Sequence, residues 1–398
     1  MKEKFLRELA DIQTGPFGSQ LHKEDYVADG TPIVTVEHLG NKMFSEQNLP
    51  RVSNTDKNRL KKYVLKQGDI VFSRVGSVDR CSYVDQKHDG WMFSGRCLRV
   101  RPTSEIDSEY LYYYFCLEET KQFVRNISVG ATMPSINTKL LGEVVVTFPE
   151  LEQQKRISGI LSAIDSKIEV NQKINDNLEQ QAVALFKSWF VDFSLFGGTV
   201  PENWEDTTLE NITTLITRGI APKYSDNSDQ TVVNQKCIRN HTIDLSLART
   251  HTPKAINEKW LKFGDLLINS TGDGTLGRVA QVWFAPKALT VDSHVTIVRP
   301  AREELIFYIG LWGILHEKEI ESLHTGSTGQ TELPRDRVKM LKLLLPDDSS
   351  LSRFNSIIAP MTSTIISNQE ENQKLANLRD TLLPKLMSGV IDVANVQH

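Results

Sequence analysis

The chain repeats itself at a fixed spacing, and that repetition limits what it can fold into more than any other feature. Gly68-Asp69-Ile70-Val71 recurs as Gly264-Asp265-Leu266-Leu267, and Val100-Arg101-Pro102 recurs as Val298-Arg299-Pro300. Phe148-Pro149-Glu150 recurs as Leu345-Pro346-Asp347, and Asn171-Gln172 with Leu178 recurs as Asn368-Gln369 with Leu375. The offsets stay between 196 and 198 residues, so order and spacing persist across half of a 398-residue chain. Self-similarity at one period marks a duplicated architecture. A chain of this length suits two globular domains plus connectors.

Each half divides again. Residues 1–149 and 197–346 are rich in Gly, Pro, Thr and Asn, with short alternating runs such as DIVFSRV, CLRVRP, VTIVRP and EVVVTF. That pattern predicts an α+β globule with many loops. A helix is expected over 108–126, with its counterpart over 303–323. The aromatics Tyr112 to Phe115 fit packing of that helix on its sheet better than a base-stacking platform.

Residues 150–196 and 347–391 read as long helices. Ile157, Leu161, Ile164, Ile168, Asn171, Asn175, Leu178, Ala182, Leu185 and Trp189 follow each other at steps of four and three, the seam of a coiled coil. Phe354, Ile358, Met361, Ile365, Asn368, Asn372, Leu375, Arg379, Leu382 and Leu386 form the partner seam. Two Asn layers sit in the middle of each. In an antiparallel pair, partnered numbers share a constant sum, and Asn171 with Asn372 and Asn175 with Asn368 both give 543. The same register sets Ile168 against Leu375, Leu178 against Ile365, Leu161 against Leu382 and Leu185 against Ile358, so an intramolecular antiparallel coiled coil is expected, the two similar mixed globules being related by a pseudo-two-fold. Pro360 lacks the N–H an inner helical turn needs, so the second helix is expected to begin in earnest near it. Pro384 and Gly389 are expected to end it. A helix of roughly 35 residues reaches about 50 Å, more than one turn of B-DNA at ~34 Å.

Composition removes other classes. Hydrophobic residues make up 39% and charged residues 24%, ordinary for a globular protein. No stretch approaches the roughly 18 apolar residues of a membrane span, and the start MKEKFLRELADI lacks the apolar core of a secretory signal. A cytoplasmic protein with four reduced cysteines and no zinc or dithiol pair is expected. The net charge of −4 shows no global attraction to nucleic acid, so a DNA surface must be local. Residues 272–277, GDGTLG, fit G-x-G-x-x-G, but Arg278 stands where a phosphate loop needs Lys-Ser/Thr. The run RVAQVWF after it reads as a strand, and without a helix N-terminus the loop cannot hold a pyrophosphate. Neither a Walker loop nor an Asn/Asp-Pro-Pro-Tyr/Phe methylation motif occurs.

The run PELEQQKRISGILSAIDSKIEVNQKINDNLEQQAVALFKSWFVDF (149–193) closely resembles the central region of type I restriction–modification specificity subunits. GATMPSINTKLLGEVVVTFP (130–149) is similar to the end of that family's target-recognition domain. GSTGQTELPRDRVKMLKLLLP (326–346) and NQEENQKLANLRDTLLPKLMSGVIDV (368–393) match more loosely, and Pro360 and Arg379 depart from the pattern. The resemblance implies a non-catalytic DNA-binding chain whose two globules each read one part of a bipartite site. It implies two modification (methyltransferase) subunits held by the helices, and restriction (nuclease/translocase) subunits. S-adenosylmethionine, ATP and Mg would be bound by those partners, with no cofactor here. Alternatives are another methylation-linked defence system, a coiled-coil protein-binding scaffold and a nucleotide-dependent enzyme.

Candidate DNA contacts follow from residue type, since Arg and Lys suit guanine or phosphate and Asn suits adenine. In the first half these are the basic run Arg51, Lys57, Arg59, Lys61 and Lys62, equally readable as a solvated face. Arg74, Arg80 and Thr132 join them. In the second half they are Lys223, Lys236, Arg239, Asn240, Asn269, Ser270, Thr271, Arg278 and Ser327, with Tyr224 and His241 nearby. His294 fits a satisfied strand histidine better than a base reader. Phe186, Trp189 and Phe190 are candidates for partner docking, shared with packing under the second globule.

Overall fold

The computed structural model describes residues 1–16, 18–40, 42–272, 274–326 and 331–393. They form two compact units: Met1–Val170 with the described residues from Glu371 onward, and Asn171–Glu370.

Each unit is built on a four-stranded antiparallel sheet of the same order. In the first, Ala10–Thr14 pairs with Cys97–Pro102, then Ile70–Ser73, then Cys81–Tyr83. In the second, Thr213–Arg218 pairs with Val295–Pro300, then Leu266–Asn269, then Val279–Gln281. Inner strands are buried almost throughout, as their unbroken apolar runs require. A smaller sheet joins each: Tyr26–Val27, Arg51–Val52, Thr31–Val34 and Met92–Phe93 in the first, and Arg249–Thr250, Thr231–Val233 and Leu289–Val291 in the second. A third, two-stranded ladder ties the globule's start to its end, Lys2–Phe5 to Val145–Phe148 and Glu205–Thr208 to Lys342–Leu345.

The two repeated motifs turn out to be the two ends of one ion pair. Gly68 (φ +90°) and Gly264 (φ +85°) occupy the left-handed region, and a Cβ on Gly264 would lie 2.7 Å from Ile306 Cδ1. This turn aims the following aspartate inward. Asp69 accepts from Lys66 N–H at 2.8 Å and from Arg101 Nε and Nη2, both at 2.7 Å. Asp265 accepts from Lys262 N–H at 2.8 Å and from Arg299 Nε at 2.8 Å and Nη2 at 2.7 Å. Both carboxylates are about 1% exposed, so each buried charge has its fork-shaped counterion.

The helix expected over 108–126 is two helices, Ser108–Cys116 and Glu118–Ile127, separated by Leu117 in an extended conformation. The turn lets Phe115 and Val124 reach the same core. Its counterpart is likewise split, into Ile306–Leu315 and Glu317–Ser322, at His316, whose ring stacks on Trp312. Tyr110, Tyr112, Tyr113 and Phe115 are buried, with Phe72 and Phe115 edge to face at 4.7 Å, so this cluster packs helix on sheet.

The long helices run Leu151–Phe190 and Asp348–Met387. In the second unit, Asn368 Nδ2 donates to Asn175 Oδ1 at 2.8 Å, the pairing that the sum of 543 requires. In the first, Arg379 Nη1 donates to Asp165 at 2.8 Å, which explains a charge on the seam. Tyr113 donates to the same carboxylate at 2.6 Å. Lys167 pairs with Glu371 at 3.2 Å. The expectation that the second helix begins near Pro360 is corrected: it starts 12 residues earlier, at Asp348. Burial of Leu351, Phe354 and Ile358 in the second core holds the turns before the proline in place. Pro384 does not end the helix either. Gly389, at φ +76°, follows its last turn.

Candidate nucleic-acid interface

At one end of each main sheet, three chain crossings converge and a fourth loop is bonded to them. In the first unit, Gly15 N–H donates to Cys97 O (3.2 Å) and Arg74 N–H donates to Arg96 O (2.8 Å). Ile136 N–H donates to Arg74 O (2.9 Å), Gly76 N–H to Pro134 O (2.8 Å), and Val129 and Ser135 bond each other. In the second unit, Gly219 N–H donates to Val295 O (3.1 Å), Ser270 N–H to His294 O (2.8 Å) and Leu333 N–H to Ser270 O (2.8 Å), with Thr325 and Glu332 bonded to each other. Close approach demands glycine at the crossing. A Cβ on Gly15 would lie 2.1 Å from Ser94 O, and one on Gly219 would lie 1.9 Å from Val291 O. Each cluster is thus a loop surface on a rigid sheet end, the arrangement that suits recognition.

The predicted residues divide among several places. Thr132 is exposed in the first cluster. Arg74 is also there, with Nη1 donating to Gly95 O at 2.9 Å. Arg80 turns its guanidinium onto Leu39 O, against Gly40. The basic run lies along the helix Asn54–Arg59 and the turn Lys61–Tyr63, beside the smaller sheet. Arg51 donates to Gly30 O at 3.0 Å. Arg59 donates to Gln20 O at 3.0 Å and pairs with Asp56, whose carboxyl is held below its usual range mainly by that guanidinium. Lys57 is half-buried; Lys61 and Lys62 are exposed, with Lys62 over the Tyr63 ring.

In the second unit, Lys223 is exposed in the loop after Thr213–Arg218, beside Tyr224, which lies under the Arg249 guanidinium at 3.6 Å. Lys236, Arg239 and Asn240 are exposed on the turn Gln235–Cys237 and the hairpin that follows. His241 leaves that polar set. It bonds Glu179 of the long helix and lies 3.6 Å from Glu317. Burial would lower its pKa, but the two carboxylates outweigh it and raise it to about 10.

Three expectations are corrected. Asn269 and Ser270 are fully buried at the end of an inner strand, where Asn269 Nδ2 donates to Gln235 O (3.1 Å) and Ser270 shares a 2.6 Å bond with Thr296. They shape the cluster from beneath and cannot touch a ligand. Phe186, Trp189 and Phe190 are 1%, 5% and 7% exposed, packed with Trp204, Tyr308 and Phe354 in the second core. Apolar packing has consumed the surface expected for a partner. His294 is no buried strand residue: it is exposed just before Val295–Pro300. The strand expected after GDGTLG is present as Val279–Gln281, where a phosphate loop would need a helix; Asp273 lies outside the described residues.

Thr271 is half-buried and bonds both Gln235 and His294, and the half-buried Arg278 side chain has no partner among the described residues. Ser327 lies outside the described residues. The sequence reading passed over Arg96, exposed in the first cluster at the place of His294; a shift of 198 residues would have exposed the match.

Residues 1–180 match the family described as "Type I restriction modification DNA specificity domain". Over that span the chain is similar to the specificity subunits of type I restriction–modification systems. Among its relatives, the type I restriction enzyme MjaIX specificity subunit of Methanocaldococcus jannaschii is 28% identical over 320 residues, covering 74% of this chain and 71% of the relative. The HindI specificity subunit of Haemophilus influenzae is 23% identical over 411 residues, covering 83% and 88%. The crystal structure of the S subunit of a type I restriction–modification system from M. genitalium shares the fold, with a TM-score of 0.55 at 17% identity over 97% of this chain and 95% of that one. No helix among the described residues is long and apolar enough to cross a membrane.

Proposed function

We propose that this chain is the DNA-specificity subunit of a type I restriction–modification complex and that each loop cluster reads one part of a split target. The observation that carries the reading is the specificity-domain match over residues 1–180, together with an equivalent loop cluster in the second unit. Two similar globules with different loops can accept two unlike half-sites, which one globule alone could not. The chain recognises DNA and performs no chemistry. Adenine methylation and cleavage belong to two modification subunits and to restriction subunits, which bring S-adenosylmethionine, ATP and Mg, in the cytoplasm. Residues 1–149 and 197–346 are the two target-recognition domains, and the long helices carry the partner contacts.

The test is co-purification of the chain with its genomic neighbours, followed by mapping of methylated adenines. A split motif that disappears on deletion of the gene is the expected result. Exchange of residues 1–149 for those of a relative should change one half of the motif. Absence of any mark that depends on this chain would remove the restriction–modification reading.

A further inference from the structure

Each loop cluster presents one side chain from a position that the fold holds identically twice. Arg96 precedes the strand Cys97–Pro102, and His294 precedes Val295–Pro300. The carbonyl of each accepts a 2.8 Å bond from the loop that leaves the neighbouring strand, at Arg74 N–H and Ser270 N–H. The carbonyl of the next residue accepts from Gly15 N–H in one unit and Gly219 N–H in the other. His294 N–H donates further to Asp292 Oδ1 at 2.9 Å. The backbone is therefore tied to its neighbours by hydrogen bonds on both sides, while both side chains are exposed.

Elsewhere, positions with one structural duty in both halves keep one residue type: Gly68 and Gly264, Asp69 and Asp265, Arg101 and Arg299. Here the backbone setting is kept but the side chain differs. Neither side chain is consumed by the fold. Arg96 has no partner among the described residues, and His294 engages only its Nδ1, with Thr271 Oγ1 at 2.7 Å. A fixed backbone that delivers a different polar group in each half is what reading two unlike half-sites requires.

The geometry points to Arg96 and His294 as base-reading residues of the two half-sites, Arg96 for a guanine and His294 for the exocyclic amine of an adenine or cytosine. This rests on the DNA-recognition reading above. The guanidinium fork matches O6 and N7 of guanine in the major groove. For His294, the neighbouring bonds select the tautomer. Thr271 has one hydroxyl hydrogen, which it donates to Gln235 Oε1 at 3.2 Å. The 2.7 Å contact is then His294 Nδ1–H donating to Thr271 Oγ1, and Nε2 keeps a lone pair. That lone pair accepts from adenine N6 or cytosine N4, the amino groups displayed in the major groove.

The experiment uses the full chain with its modification partners, in cells lacking the native gene and complemented by wild type, Arg96→Ala, Arg96→Lys or His294→Ala. Methylated adenines are mapped across the genome. Arg96→Ala should make one guanine position degenerate in one half of the motif, with discrimination falling from roughly 10- to 100-fold to about 3-fold or less. Arg96→Lys should relax the same position while methylation of the relaxed motif stays high, because the charge remains and the fork is lost. His294→Ala should relax an adenine or cytosine in the other half only. Variants as selective as wild type, or methylation that weakens evenly with the motif unchanged as for phosphate contacts, would overturn the assignment. If wild type itself yields no chain-dependent motif, the DNA-recognition reading fails first, and the assignment with it.

Discussion

Replacing Asp265 by Asn tests whether the repeated Gly-Asp and Arg-Pro motifs exist to build one buried ion pair. The carboxylate is about 1% exposed and accepts three hydrogen bonds, two from Arg299 and one from Lys262 N–H. Arg299, 9% exposed, also donates to Glu258 O at 3.0 Å and Trp260 O at 2.7 Å. In D265N the amide oxygen can still accept from Lys262, and the two carbonyls still hold the guanidinium. The buried positive charge nevertheless loses its counterion and faces an amide that can donate. Removing one partner of a buried pair costs about 3–5 kcal/mol, and the surviving bonds place this case near the lower end, at about 3 kcal/mol. For a unit of some 200 residues that corresponds to a fall in midpoint of about 6–12 °C. Tryptophan fluorescence isolates the effect: Trp189, Trp204, Trp260, Trp283 and Trp312 lie in Asn171–Glu370, and only Trp91 lies outside it. Urea unfolding of wild type, D265N, R299M and the double variant D265N/R299M completes a cycle. The double variant should cost less than the sum of the single changes, because no charge is left uncompensated. A D265N cost below about 1 kcal/mol, or strictly additive changes, would refute the reasoning.

Three further outcomes follow from particular contacts. His241, with its pKa raised to about 10 between Glu179 and Glu317, stabilises the fold fully below its unfolded value near 6.5 and loses that contribution as pH rises through about 10. Unfolding free energies from urea titration of wild type and His241→Ala should therefore differ by about 2 kcal/mol at pH 6 and converge above pH 10; a pH-independent difference would contradict this role of the Glu179 and Glu317 contacts. Asn175→Leu alone should lower the stability by about 1–2 kcal/mol, and with it the melting temperature, since Asn368 Nδ2 loses its acceptor. The double change N175L/N368L should raise it, as apolar seam layers do, and calorimetry decides. Gly219→Ala forces a Cβ to 1.9 Å from Val291 O. The loop must shift, so duplex affinity by fluorescence anisotropy should fall at least 10-fold for one half-site and stay unchanged for the other.

Sequence alone determined what depends on short-range periodicity or on repetition. The heptad seams, the two-fold repeat and the antiparallel register were legible because a seam Asn must meet a polar partner, and Asn175 does meet Asn368. The strand character of RVAQV and of the runs ending in VRP was legible from short stretches rich in β-branched and apolar residues. The tertiary structure decided which polar side chains are spent inside the fold and which remain free for a ligand. Asn269 and Ser270 look like readers in a list of residues, yet the third dimension brings Gln235 and Thr296 against them and buries both. His241 was claimed by carboxylates 62 and 76 residues away, Glu179 and Glu317. Phe186, Trp189 and Phe190 were claimed by Phe354 and Trp204. Pro360 breaks a helix in isolation, but Phe354 and Ile358 are anchored in a core that compensates for the missing bond. Local pattern sets which elements form. Solvent access to a side chain is a sum over neighbours distant in sequence, and it is fixed only once those neighbours are packed around it.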